Sequence, residues 1–170
     1  MKNQELTIEQ ITDAGHDEDN AGHVRALCAH LECEPDDLRE AKWDSYGLLT
    51  FEHGSREYAV GTDEEAAKAA CKYVEDSAWA FNADFVCDQC DLPSELAEVL
   101  QGFQSDRCEG ANDAILALIE KCTTIEKFTE AACSADGRGH LLGRYDDEEN
   151  EETAEDSEGD SQTYYIYRLN

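Results

Sequence analysis

The stretch Tyr46-Gly47-Leu48-Leu49-Thr50-Phe51-Glu52-His53-Gly54-Ser55-Arg56-Glu57-Tyr58-Ala59-Val60 decides the fold class, because here the helical patterning of the chain gives way to strands. Segments 46–51 and 56–60 carry the aromatic and β-branched residues that favour strands. Between them, His53-Gly54-Ser55 reads as a tight hairpin turn, with Gly54 free to take the positive φ such turns need. Strand alternation puts Leu49 and Phe51 on one face, against Tyr58 and Val60. A hairpin with one apolar face must be covered by another layer, and the flanking sequence supplies helices.

Upstream, Val24, Leu27, Cys28 and Leu31 recur at helical spacing. Glu34-Pro35-Asp36-Asp37-Leu38 reads as a break and restart of that helix, with Pro35 in a first turn and acids behind it. Residues 1–19 are polar, with a weak Leu6, Ile8, Ile11 pattern, and read as a flexible or short helical N-terminus. Downstream, Thr62-Asp63-Glu64-Glu65 forms a capping box. The helix it opens is expected to reach about residue 81 and to bury Ala67, Ala70, Cys71, Val74 and Ala78. Another helix starts at Ser94, with Leu96, Val99, Leu100 and Phe103 on one face. A third is expected over 112–133, burying Ile115, Leu118, Ile119, Cys122, Ile125 and Phe128. Segments 140–145 and 163–169 read as strands, joined by an acidic, low-complexity stretch, 146–160, expected to be a mobile loop. The expected architecture is α+β: amphipathic helices packed on a small antiparallel sheet, with a long acidic loop near the C-terminus. Residues 20–145 plus 161–170 would form one domain.

Charge is the outstanding feature. The chain of 170 residues carries 41 acidic and 13 basic residues, a formal net charge of −28. Ten of the acids lie in 146–160 without a single base, and subtracting them leaves −18 on the other 155 residues. The acidity therefore belongs to the fold as well as to one segment. Such a surface repels phosphate backbones and anionic headgroups, so direct nucleic-acid and membrane binding are excluded, and a partner recognised by charge should be basic. Nucleic-acid-binding proteins are the commonest soluble class with large basic surfaces. Adaptation to high salt would give the same composition, although eight cysteines speak against it. No run of about 18 apolar residues exists and the N-terminus lacks an apolar leader, which points to the cytoplasm and to reduced thiols.

The C-terminal residues Gly137-Arg138-Gly139-His140-Leu141, Tyr145-Asp146-Asp147-Glu148-Glu149-Asn150 and Tyr164-Tyr165-Ile166-Tyr167-Arg168-Leu169-Asn170 resemble the tails of small uncharacterised acidic proteins encoded by phages and plasmids. The acidic insert is longer here. The resemblance implies a mobile gene and carries no activity or site residue with it.

Catalytic signatures are missing: there is no GxGxxG, GxxxxGK[ST], HExxH or GxSxG. Cys87-Asp88-Gln89-Cys90 is a single CxxC, and a structural zinc needs four ligands, so Cys87 and Cys90 are weak metal candidates. His16, His23 and His30 recur every seven residues, but Gly15 and Gly22 argue against one helix face, and a solvated or capping role outweighs a metal role. Acid spacings in 146–160 do not match a calcium loop. No cofactor is expected.

What remains are the acids as a class. Carboxylates three or four apart on a helix lie about 6 Å from one another, a spacing comparable with that of phosphates along DNA. The residues expected to meet a partner are Asp36, Asp37, Glu64, Glu65, Glu75 and Asp76, with Asp146, Asp147, Glu148, Glu149, Glu151 and Glu152 of the loop. The expected function is a non-enzymatic interaction protein: a DNA-mimicking inhibitor of a host nucleic-acid-binding defence protein, of anti-restriction or anti-CRISPR type. The alternatives are a phage accessory or structural protein whose charge serves solubility and assembly, and a small zinc- or thiol-dependent protein.

Overall fold

The computed structural model describes residues 6–170, with the backbone alone at 40 and 41. The fold is α+β, but the chain forms two compact units rather than the single expected domain: Met1–Ala69 with Arg138–Asn170, and Ala70–Gly137.

The first unit is built on the hairpin that turns at Gly54. Strands β2 (Leu49–His53) and β3 (Arg56–Thr62) pair antiparallel around Gly54, whose φ is 64°. Leu49 faces Val60 and Phe51 faces Tyr58, the register expected from alternation. With β1 (Leu38–Trp43), β4 (Asn150–Glu155) and β5 (Ser161–Arg168) they make a five-stranded antiparallel sheet of order β1-β2-β3-β5-β4. Helix α2 (Ala21–Leu31) packs across β4, β5 and β3. It buries Val24, Leu27 and Cys28 with Leu38, Leu49, Phe51, Tyr58, Val60, Tyr164 and Ile166, and α1 (Ile8–Asp13) adds Ile11. Each large apolar side chain so removed from water contributes about 1.5–3 kcal/mol. The N-terminal segment is thus helical over α1, held by a capping box between Thr7 and Gln10; residues 1–5 lie outside the described residues.

Three expectations are corrected here. Pro35–Asp37 forms one 3₁₀ turn and the chain then turns extended into β1, not into a restarted helix. Leu38 pairs with His53, so tertiary strand pairing overrides a local helix signal. Segment 140–145 is not a strand: α8 (Arg138–Leu142) is a short helix that buries Leu141 and Leu142. And 146–160 is not a loop, because it contains β4 and a tight turn.

The second unit is helical. Helix α3 (Asp63–Ser77) carries the chain into it, followed by α4 (Ala83–Gln89), α5 (Ala97–Arg107), α6 (Asn112–Cys122) and α7 (Ile125–Asp136). Its core gathers Val74, Ala78, Val86, Cys90, Ala111, Ile115, Ile119 and Phe128. Phe128 meets both Phe81 and Phe85 edge-on at 5.2 Å. The buried amide of Gln104 donates to the carbonyls of Trp79 (2.9 Å) and Phe81 (2.7 Å), and Asn112 donates to that of Glu75 (2.6 Å), which satisfies backbone oxygens in the last turn of α3 and just past its end. On α3 the buried stripe is Ala66, Ala69, Ala70 and Val74, with Ala78 buried in the 3₁₀ turn that follows, while Ala67 is exposed and Cys71 half-buried. The helix expected over 112–133 breaks at Thr123, and Thr124 caps α7 through the amide of Lys127 (3.3 Å). Cys122, expected inside, is exposed; so are Leu96 and Val99 of the Ser94 segment. None of the described helices is long and apolar enough to cross a membrane.

Candidate functional site

The acids divide into those that the fold uses and those that it leaves in solvent. The β4–β5 hairpin shows both. Asn150, Glu152 and Ala154 of β4 are half-buried, Ala154 packs on the core, and Glu152 lies 3.9 Å from His30 of α2. The alternate residues Glu151, Thr153 and Glu155 are exposed. At the turn, Asp156 accepts from the amides of Glu158 and Asp160, both at 2.9 Å, and Gly159 takes a φ of 87°. Arg25 of α2 closes the end of β4 by donating to the carbonyls of Glu155 and Asp156, both at 2.8 Å, and to that of Leu6 at 2.9 Å. This clamp, with ladder pairing from Asn150↔Ile166 to Glu155↔Ser161, gives an acidic segment of low strand propensity its strand geometry.

The approach to β4 is fixed by close backbone packing. Gly139 of α8 lies against the backbone of Asp147 and Glu148, and a Cβ there would stand 2.5 Å from the Asp147 carbonyl oxygen. Asp146, Asp147 and Glu148 are exposed, with His140 3.7 Å from Asp147. Glu149 is different. It accepts from Arg138 Nε (2.6 Å) and from the Tyr167 hydroxyl, while Arg138 also donates to Asp63 (2.9 Å) and stacks on Tyr165 at 4.2 Å. Burial works against the Arg138 charge, but its bonds to Glu149 and Asp63 outweigh this and hold it protonated; burial and the bond to Glu149 push the Tyr167 phenol up. Arg138, Glu149, Tyr167 and Asp63 thus tie α8, the approach to β4, β5 and the start of α3 together within the first unit.

Glu65 is likewise spent inside. Its Oε2 accepts from the Thr62 amide (2.7 Å), completing the capping box, and lies 2.9 Å from Nε2 of the buried His23. Tyr164 sits edge-on to His23 at 5.0 Å. His23 and Glu65 are 42 positions apart, so no spacing in the sequence signals this pairing. The three histidines serve separate ends: His16 bonds the Pro35 carbonyl at 3.0 Å, His23 meets Glu65, and His30 approaches Glu152.

The other candidates remain at the surface. Glu64 is exposed and pairs with Lys68 one turn on at 2.6 Å. Asp36 and Asp37 are exposed on the 3₁₀ turn, where Asp37 accepts from the Glu34 amide at 3.1 Å. Glu75 and Asp76 are exposed on the part of α3 that belongs to the second unit. Cys87 and Cys90 are both buried; burial raises the Cys87 thiol, and burial together with a bond to Cys122 pushes Cys90 up to about 12. Both are neutral thiols near pH 7, and among the described residues no three metal-ligating side chains converge.

No family model matches this chain, and no match was found among curated proteins or solved structures.

Proposed function

We propose that this protein is a non-enzymatic interaction protein that occupies the nucleic-acid-binding surface of a basic partner as a DNA mimic. The observation that carries this reading is the acidic hairpin: its exposed carboxylates stand on a paired strand and a hydrogen-bonded turn, not on a mobile loop. Charges held on fixed backbone are presented without the ordering cost that a flexible segment meets on binding. Residues along a strand rise about 3.3 Å each, so Glu151 and Glu155 on the exposed face of β4 stand roughly 13 Å apart, about four phosphate steps of roughly 3.4 Å along one strand of duplex DNA. Glu151 and Glu155 lie along β4, with Asp146, Asp147 and Glu148 before it and Glu158 and Asp160 after it. Glu65 and Glu149 drop out of the contact set because the fold neutralises them. Asp36, Asp37, Glu64 and Glu152 remain in the first unit, and Glu75 and Asp76 in the second. The resemblance to phage and plasmid proteins suits a target in host defence, a restriction or CRISPR effector.

The test is a competition titration against such an effector, with and without saturating duplex DNA. Duplex should displace the protein, and affinity should fall by about tenfold or more between 50 and 200 mM salt if several charge contacts are made. Converting Glu151, Glu155, Glu158 and Asp160 to amides should weaken binding by more than any single change, each exposed contact being worth about 1 kcal/mol or less. Binding that is indifferent to saturating duplex would sink the proposal.

A further inference from the structure

We propose that Cys28 and Cys33 form a two-thiol exchange site at the C-terminal end of α2, and that its substrate is a small cationic disulfide. Helix α2 ends with Glu32 in the left-handed conformation (φ 52°), and the amide of Cys33 donates back to the carbonyl of Cys28 at 3.1 Å. This is the six-residue helix terminus in which the first and last side chains meet. Both cysteines join one apolar cluster, Cys28 within it and Cys33 half-exposed against it. The turn thereby brings together two residues at the sequence separation that a short disulfide loop can close.

The two thiols are unequal. The hydrogen bond between them is the largest influence on each: it lowers Cys33, against burial and the carboxylates of Asp37 and Glu34, and it raises Cys28, which burial raises further. Cys33 is half-exposed and Cys28 buried, so Cys33 is the outer, attacking residue and Cys28 the inner, resolving one. The Cys33 thiolate attacks one sulfur of a disulfide R–S–S–R; that S–S bond breaks and R–S⁻ leaves with the electron pair. Cys28 then gives its proton to solvent and attacks Cys33 Sγ, breaking the mixed disulfide and releasing the second R–S⁻. The protein loses two electrons and two protons, and one small disulfide becomes two thiols.

Charge selects the substrate. Glu34 and Asp37 act on both thiols, exposed Asp36 adjoins them in sequence, and the chain carries −28 overall. Such a field concentrates cations and repels anionic disulfides.

The experiment uses the full-length reduced protein under argon, with cystamine as the cationic disulfide and oxidised glutathione as the anionic one, read by intact mass and peptide mapping. Cystamine should close a Cys28–Cys33 disulfide, with loss of two hydrogens, about tenfold faster than glutathione disulfide at low salt, and added salt should shrink the ratio. Cys28→Ser should stall at a cysteamine adduct on Cys33; Cys28→Ala serves if the serine variant does not fold. Cys33→Ser should leave Cys28 unmodified while exposed Cys108 and Cys122 still react. Reaction confined to Cys108 and Cys122 overturns the site, and equal rates for the two disulfides at low salt overturn the substrate class.

Discussion

Glu65 stands third in a run of three acids at the start of α3, and its surroundings alone separate it from Asp63 and Glu64. Burial pushes its carboxyl upward, but the bond from His23, the Thr62 amide and hydroxyl, and the His23 charge together hold it down at about 2, against an ordinary 4.5. A depressed folded-state value means stability that is fully present above about pH 4.5 and is lost as pH falls through about 2. Discounted for the 29% of the side chain that remains exposed, the contribution is about 2 kcal/mol. E65Q should therefore lose about that much in urea unfolding at pH 7, and the gap to the parent protein should close between about pH 4.5 and 2. A gap that stays constant across this range would mean that the amide disturbs packing and not charge. The Thr62–Glu65 capping box was legible in four consecutive residues, since both ends lie on one turn. The His23 bond was not, because chain separation hides which buried histidine a carboxylate will meet.

Among the elements, the β2–β3 hairpin was readable because its alternation, its Gly54 turn and its apolar face agree with one another. The acidic segment was misread because composition alone argues for a solvated loop, whereas β4 is made by what surrounds it: Arg25 on its end, α2 over Ala154, and β5 beside it. The same dependence on neighbours turned 38–43 into a strand and let Thr124 cut one long helix in two. Deleting 147–160 should accordingly damage the fold. It would strip the outer neighbour from β5 and leave Arg138 and Tyr167 without Glu149. Losing a paired strand and a half-buried charge partner amounts to several kcal/mol, so a thermal melt should drop by about 10 °C or more. An unchanged melting temperature would show that β4 contributes nothing to stability.

For the molecule as a whole, acidity is shared by both units: Ala70–Gly137 holds fourteen acids against four bases, and the remaining residues twenty-seven against nine. Each unit folds against its own repulsion, which mobile ions screen. Raising sodium chloride from about 10 mM to 0.5 M should lift the melting temperature by about 5 °C or more, equivalent to roughly 2 kcal/mol; a flat or falling response would show that internal ion pairs, not net repulsion, dominate. The sheet order has a consequence for biosynthesis. β3 is central, yet its neighbour β5 arrives about a hundred residues later, after the whole helical unit has been made. At ribosomal speeds of about 5–20 residues per second, a nascent chain spends roughly 5–20 s with the β1–β2–β3 meander open along β3. Within that window the unpaired backbone edge of β3 is exposed to any strand that passes, and the half-made protein depends on like-charge repulsion between nascent chains to stay apart until β5 emerges.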